Sequence, residues 1–254
     1  MKAKIDLRLG DCFEILKSVP DHSIDCIVTD PPYGNTHCDF DCIVDEPTLL
    51  RELKRVVKPK RAVCIFCMLR MAVRLINIDP KWFRYEWILA KQRATGFLDC
   101  KKRPLRAHEL LLIFGDGQPL YNPLKTAGKE YKMSMRHGKQ ALYTKLKLHY
   151  SNNNNGDRYP TTILPHNNVN YVNNIHPTQK PVDLCEYLIR TYSNAGDVIP
   201  DPFAGSGTTA VACIQTGRNF IGCEINEKYY KLAVDRIEKA QKAEEEKLPL
   251  EINE

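Results

Sequence analysis

The chain alternates short apolar runs with amphipathic stretches, and the period of the apolar positions assigns the elements. "KIDLRLG" alternates as a strand, "DCFEILKSV" reads as a short helix, and "SIDCIVTD" reads as a second strand. In "EPTLLRELKRVV" the apolar residues recur at spacings of three and four, which makes an amphipathic helix; "RAVCIFC" is another strand. A helix near Leu69 to Ile78 follows, then "YEWILAK" and "ELLLIFG", two apolar runs able to pair as antiparallel strands. Strands alternating with helices predict a parallel sheet covered on both faces.

From about Asp116 to Asn174 the periodicity dissolves into Lys, Tyr, Asn, Gly and Pro, with "SNNNNGD" and "HNNVNYVNN", a composition of surface loops or of a lobe that orders on a partner. Regularity resumes with the helix "PVDLCEYLIRTYS" and the strand, glycine loop and helix of "GDVIPDPFAGSGTTAVACIQTG". The strand "RNFIGCEIN" and the helix "EKYYKLAVDRIEKAQKAEEE" close the pattern. The expected organisation is one domain over 1–254, with an inserted region over approximately 92–174 and a charged tail over 241–254.

Composition narrows the setting. No apolar run is long enough for a membrane helix, and the start "MKAKIDLRLGDC" lacks a signal-peptide layout, so a cytoplasmic protein with no membrane partner is expected. The ten cysteines are scattered and sit mostly in apolar runs, as buried reduced thiols do. Cys64 and Cys67 have CxxC spacing, and His37, Cys38 and Cys42 cluster. With no second CxxC, no metal site is expected. The net charge of +6 is uneven: Lys91 to Tyr150 holds 13 Lys and Arg against 4 Asp and Glu, and the remainder holds 24 against 27. A basic segment interleaved with Tyr121, Tyr131, Tyr143 and Tyr150 favours a polyanion, nucleic acid foremost.

Two motifs carry chemistry. In "DPFAGSGTTA", Gly205, Gly207 and Ala210 have G-x-G-x-x-A spacing between a strand and a helix, where glycine lets the backbone approach a ligand. Thr208 and Thr209 stand where a phosphate-binding loop needs Lys then Ser or Thr, which excludes a nucleoside triphosphatase. Glu224 ends the next strand, placed to accept hydrogen bonds from the ribose hydroxyls of NAD or of S-adenosylmethionine. The second motif, "TDPPYG", puts Asp30 at the carboxyl end of a strand, followed by Pro31 and Pro32, which fix two φ angles and remove two N–H donors. The Asp30 carboxylate and Pro31 carbonyl form a rigid acceptor pair beside the ring of Tyr33, suited to a planar base carrying an exocyclic amine.

"DPPYG", then "HPTQKP", then "DPFAGSGTT" closely resembles the amino-directed DNA methyltransferases of the β-type permuted order, in which the catalytic corner precedes the cofactor loop. The resemblance covers nearly the whole chain. It implies a circularly permuted Rossmann-like α/β fold, a doubly wound mostly parallel sheet with an inserted target-recognition region. By the same resemblance Asp30, Pro31, Pro32 and Tyr33 are catalytic, and the cofactor is S-adenosyl-L-methionine. Its implied contacts are Asp11 and Cys12 after the first strand, Asp30, Asp201, Phe203, Ala204, Gly205, Ser206, Gly207, Thr208 and Glu224. His176, Thr178 and Lys180 of "HPTQKP" would close over the methionine end, Lys180 facing its carboxylate.

The resemblance further implies double-stranded DNA as substrate, gripped through phosphates by Lys101, Lys102, Arg103 and Arg106. Asp at the first corner position is the form more typical of adenine N6 methylation; N4-cytosine methylation is the alternative. A homodimer and a cognate restriction endonuclease are the further partners such a protein could have. An NAD-dependent oxidoreductase would explain the glycine loop and Glu224 but leaves the proline corner and the basic segment without a role. A DNA-binding protein without catalysis is disfavoured because all the matched positions are intact.

Overall fold

The computed structural model describes residues 2–33, 44–130, 156–166 and 179–247. Eight strands and six α-helices follow in chain order among them: β1 (Ile5–Leu9), α1 (Cys12–Ser18), β2 (Ile27–Thr29), α2 (Glu46–Val56), β3 (Val63–Cys67), α3 (Leu69–Ile78), β4 (Phe83–Thr95) and β5 (Arg106–Phe114). After them come β6 (Ile163–His166), α4 (Val182–Tyr192), β7 (Val198–Asp201), α5 (Thr208–Thr216), β8 (Asn219–Glu224) and α6 (Glu227–Glu246).

The strands form two hydrogen-bonded sets, β1-β8-β7 and β2-β3-β5-β4-β6. They abut at β7 and β2, where the Asp25 amide donates to the Val198 carbonyl at 3.3 Å and the Val198 amide to the Asp25 carboxylate at 3.1 Å. The spatial order is therefore β1-β8-β7-β2-β3-β5-β4-β6. Pairing is parallel except where β5 runs antiparallel between β3 and β4. From β7 the chain winds one way to β8, and from β2 it winds the other way to β3. The boundary between β7 and β2 is thus the switch point at which open α/β sheets leave a crevice at the carboxyl ends of their strands.

Each strand feeds two cores because successive side chains point to opposite faces. In β3, Cys64 and Phe66 join a core under α4, α5 and α6, while Val63, Ile65 and Cys67 join one under α1, α2 and α3. Cys64 and Cys67 therefore face opposite sides of the sheet, so their CxxC spacing cannot chelate one ion. The helices fit their places. On α2, Asp45 caps the Thr48 amide and Leu49, Leu50, Leu53 and Val56 are buried, each worth about 1.5–3 kcal/mol against exposure.

The ends of the described chain meet, with Lys2 Nζ 2.6 Å from Glu245, so a circular permutation of this sheet joins neighbouring points. β5, β6 and the distal half of β4 belong to the main unit, and the described residues 123–130 and 156–161 belong to a second compact unit. Within that unit Thr126 and Arg158 form an antiparallel bridge, and Lys125 lies 4.7 Å from the centroid of the Tyr159 ring. α6 continues to Glu246, so the first residues of the charged tail are helical.

Candidate active site

The proline corner and the glycine loop meet at the switch point. Thr29, the last residue of β2, donates its hydroxyl to Asp201 at the end of β7 at 2.8 Å. Asp201 also accepts from Thr209 Oγ1 at 2.7 Å and from the Phe203 amide at 3.1 Å. Burial pushes the Asp201 carboxyl up to about 6, while these donors pull the other way. One carboxylate thus ties the strand that delivers Asp30 to both sides of the glycine loop, across 172 residues of chain.

Asp30, Phe66, Gln179, Lys180, Cys185 and the run from Asp201 through Phe203–Ser206 to Thr208 and Thr209 line one cleft of about 440 Å³, its solvent-filled mouth included. Gln179 Oε1 is buried there and accepts no hydrogen bond, so the cleft suits a ligand that brings a donor, such as an α-ammonium group. The residues present fit an adenosyl-amino-acid cofactor on this count.

The loop is held from behind. Gly205 has φ +52° and Gly207 φ +74°, in the left-handed region open to glycine. The Gly205 amide donates to Glu224 Oε2 at 2.9 Å, and Glu224 Oε1 accepts from the Asn226 amide at 2.8 Å. Burial raises the Glu224 carboxyl, and these amides work against the rise. Arg236 of α6 donates to Ser206 O at 3.1 Å and to Thr208 Oγ1 at 2.9 Å. A Cβ on Gly207 would lie 3.2 Å from that of Ala233, so the bare glycine also lets α6 pack close behind the loop.

Around Asp30 four charged groups are linked. Lys180 Nζ lies 2.7 Å from Asp30 Oδ2 and 3.3 Å from Glu109 Oε2, and Lys91 pairs with Glu109. Lys180 also sits 5.1 Å from the centroid of the Phe66 ring and 5.8 Å from that of Tyr33. Its side chain is 12 % exposed, and a cation so far from water needs partners. The expectation that it faces a cofactor carboxylate has to accommodate these two carboxylates, which hold it in the structure. Burial opposes the charge on Lys180, but Asp30 and Glu109 outweigh it and raise its pKa. Burial also works to raise Glu109, yet Lys180 and Lys91 hold it down to about 2. At Asp30 burial prevails and the carboxyl is raised, against the pull of Lys180 and the Tyr33 hydroxyl. That hydroxyl donates to Asp30 Oδ1, so Tyr33 orients the carboxylate as well as presenting a ring.

The remaining expected residues are placed as follows. Pro31 is buried; Pro32 and Tyr33 are half-buried. Asp11 caps α1, accepting from the Phe13 amide at 2.8 Å, beside the buried Cys12 and next to Gly10, whose amide donates to the Glu224 carbonyl at 3.0 Å. His176 and Thr178 lie outside the described residues, as do His37, Cys38 and Cys42. Lys101, Lys102 and Arg103 on the connection between β4 and β5, and Arg106 at the start of β5, are all exposed. Among the described residues no group of His, Cys, Asp and Glu could hold a metal ion, and no helix is long and apolar enough to cross a membrane. Glu109, Lys91, Gln179 and Arg236 escaped the sequence reading. Glu109 had a signal, as the lone carboxylate opening the apolar run "ELLLIF".

Comparison with known proteins meets this geometry. A curated relative, the DNA adenine methyltransferase YhdJ of Escherichia coli (strain K12), is 28 % identical over 94 % of this chain and 84 % of its own. The crystal structure titled as the M1.HpyAVI–SAM complex superposes with a TM-score of 0.63 at 23 % identity, covering 92 % of this chain and 98 % of the other. The PvuII DNA methyltransferase, titled cytosine-N4-specific, gives a TM-score of 0.65 at 15 % identity, covering 100 % and 97 %. At these identities the structures speak for the fold, which is that of S-adenosylmethionine-dependent methyltransferases. The profile of the N6/N4 family, described as DNA methylase, matches residues 24–235, from the strand before the proline corner to the helix behind the glycine loop. The chain belongs to that family and is an S-adenosyl-L-methionine-dependent DNA methyltransferase.

Proposed function

We propose that the protein transfers a methyl group to the exocyclic N6 amine of an adenine swung out of double-stranded DNA. The observation that carries this reading is the placement of Asp30 in the wall of the cleft that the glycine loop also lines. Adenine is favoured by Asp at the first corner position and by kinship with a relative named for adenine methylation.

The cofactor, when bound, supplies an electrophilic methyl group on a sulfonium. The chain's own residues position and polarise the acceptor. Asp30 and the Pro31 carbonyl each accept one N–H of the amine, which draws its lone pair out of conjugation with the ring and aims it along the cleft. Tyr33 offers a ring face beside Asp30, and stacking there offsets the few kcal/mol that base extrusion costs. An amine that gained the methyl group as the methyl–sulfur bond broke, leaving a neutral thioether, would be cationic and would shed a proton; Asp30, hydrogen-bonded to that amine and with its proton affinity raised by burial, would be placed to accept it.

Glu224, whose carboxylate accepts the backbone amides of Gly205, Asn226 and Ile225, is assigned to the ribose hydroxyls through its remaining acceptor capacity. Asp11, exposed at the end of β1, is assigned to the adenine amine of the cofactor and Phe203 to its ring. Gln179 Oε1 is assigned to the ammonium group.

Methylation-sensitive sequencing of unmethylated DNA, after incubation with the protein and S-adenosylmethionine, tests the reading. N6-methyladenine in one sequence context is expected. N4-methylcytosine would overturn the assignment of the base, and unmodified DNA would overturn the activity.

A further inference from the structure

Beyond Lys91, the last residue of β4 paired with β6, the β4–β5 pair runs on as a two-stranded arm through a register shift to Thr95 opposite Arg106. Every residue from 92 to 108 except the half-buried Asp99 is exposed, so the arm contributes nothing to either core. Its tip is nevertheless built. Gly96 takes φ +90°, a 3-10 turn spans Phe97–Asp99, and the amides of Asp99, Cys100, Lys102 and Arg103 all donate to carbonyls within the turn at 2.8–3.1 Å. This ordered tip presents Phe97, 77 % exposed, and Leu98, 97 % exposed, side by side. Adjacent large apolar side chains this bare on a rigid turn mark a contact surface, since packing gives them no role.

The surroundings say what the surface meets. Residues 91–108 hold six Lys and Arg against one acidic residue, Asp99, and Asp99 is paired with Arg103 at 2.5 Å. A narrow β-ribbon with an apolar tip and basic flanks has the form of elements that enter a DNA groove and press apolar side chains against base steps.

We propose that Phe97 and Leu98 are a DNA-contacting wedge that engages duplex flanking the target base, outside the catalytic cleft. The inference rests on the reading of the chain as a DNA methyltransferase. The arm's reach sets the place of contact. Its root is the Leu89–Glu109 pair, where Glu109 touches Lys180 beside Asp30. Eight residues separate Leu89 from Phe97, at most about 26 Å of strand. With base pairs about 3.4 Å apart, the wedge falls within about eight base pairs of the target.

The test compares wild type with a Phe97→Ser, Leu98→Ser variant on duplexes carrying the methylated site. On a duplex of about 30 base pairs the variant should bind roughly ten-fold or more weakly, the scale of lost stacking. Its salt slope should be unchanged because no phosphate contact is removed, and its melting temperature should match wild type. Trimming one flank to about two base pairs should abolish the difference between the proteins. In a separate Phe97→Trp variant, duplex DNA should quench the added emission, against a background of the buried Trp82 and Trp87.

Equal affinities on the long duplex would overturn the proposal, as would a penalty that survives trimming of either flank. A melting temperature lowered by several degrees, or a wild-type dimer that the variant dissociates, would also overturn it, by giving the pair to this chain or to a second copy. If neither protein transferred methyl groups but the binding difference remained, the wedge would stand and the proposed reaction would fall.

Discussion

Replacing Lys180 by Met is the sharpest probe of the cleft. The ammonium stands 2.7 Å from Asp30 and 3.3 Å from Glu109, and its removal leaves two carboxylates sharing the field of Lys91 alone. At an effective dielectric of about 20, a unit pair at that separation is worth roughly 6 kcal/mol. Solvent at an Asp30 side chain 21 % exposed reduces this; even about 3 kcal/mol corresponds to some 2 pKa units. The sign is fixed. Burial already raises Asp30 and Lys180 opposes the rise, so the variant's carboxyl must sit higher still. Asp30 accepts the substrate N–H only when ionised, so the acid limb of the kcat profile should move up by about 2 units. At pH 7 the rate should fall and then recover as pH increases. Single-turnover methyl transfer across pH 5.5–9.5, with S-adenosylmethionine affinity measured in parallel, separates this from lost cofactor binding. A variant with unchanged kcat at every pH, weakened only in KM for the cofactor, would refute the claim that Lys180 holds Asp30.

Three other perturbations follow from the same geometry. Asp30→Ala should abolish transfer while isothermal titration shows S-adenosylmethionine binding within a few fold, because Asp30 only borders the cofactor's cleft; retained turnover would remove it from the reaction. Glu109→Gln should strand the 14 %-exposed Lys91 and cost about 3–5 kcal/mol, read as a fall in urea midpoint, and an unshifted midpoint would show that the quartet is not coupled. Thr29→Val keeps the shape but removes one of the hydroxyls on Asp201, for a loss of about 1–3 kcal/mol in urea unfolding. That loss should shrink below pH 6, where Asp201, raised to about 6, takes up a proton in the folded state and needs its donors less.

Much of this architecture could be read along the chain. A 3.6-residue period, a two-residue period and a glycine-bearing turn are local properties, so α2, β3 and the loop before α5 follow from a few neighbouring residues each. β6 could not be read that way. Four residues, Ile163–His166, with Pro165 among them, carry no period. They become a strand only because the parallel edge of β4 supplies partners, and an edge is where proline is tolerated. Gly207 looks from its motif like a residue shaped for a ligand; that it also lies close to Ala233, on a helix that begins twenty residues later, is a tertiary fact.

The sequence by itself determined the chemical parts: an acceptor corner without amide donors, a glycine loop, an acidic strand end, and a basic segment. Tertiary structure alone decided that Asp201 joins the first two, that Glu109 and Lys91 complete the charges around Lys180, and that Phe97 and Leu98 stand clear of both cores. The physical reason is range. Backbone propensity and side-chain identity act over a few residues, while burial and Coulomb energy act through space. Their magnitudes at Asp30 are set by groups some 80 and 150 positions away, which only the folded sheet brings within 4 Å of one another.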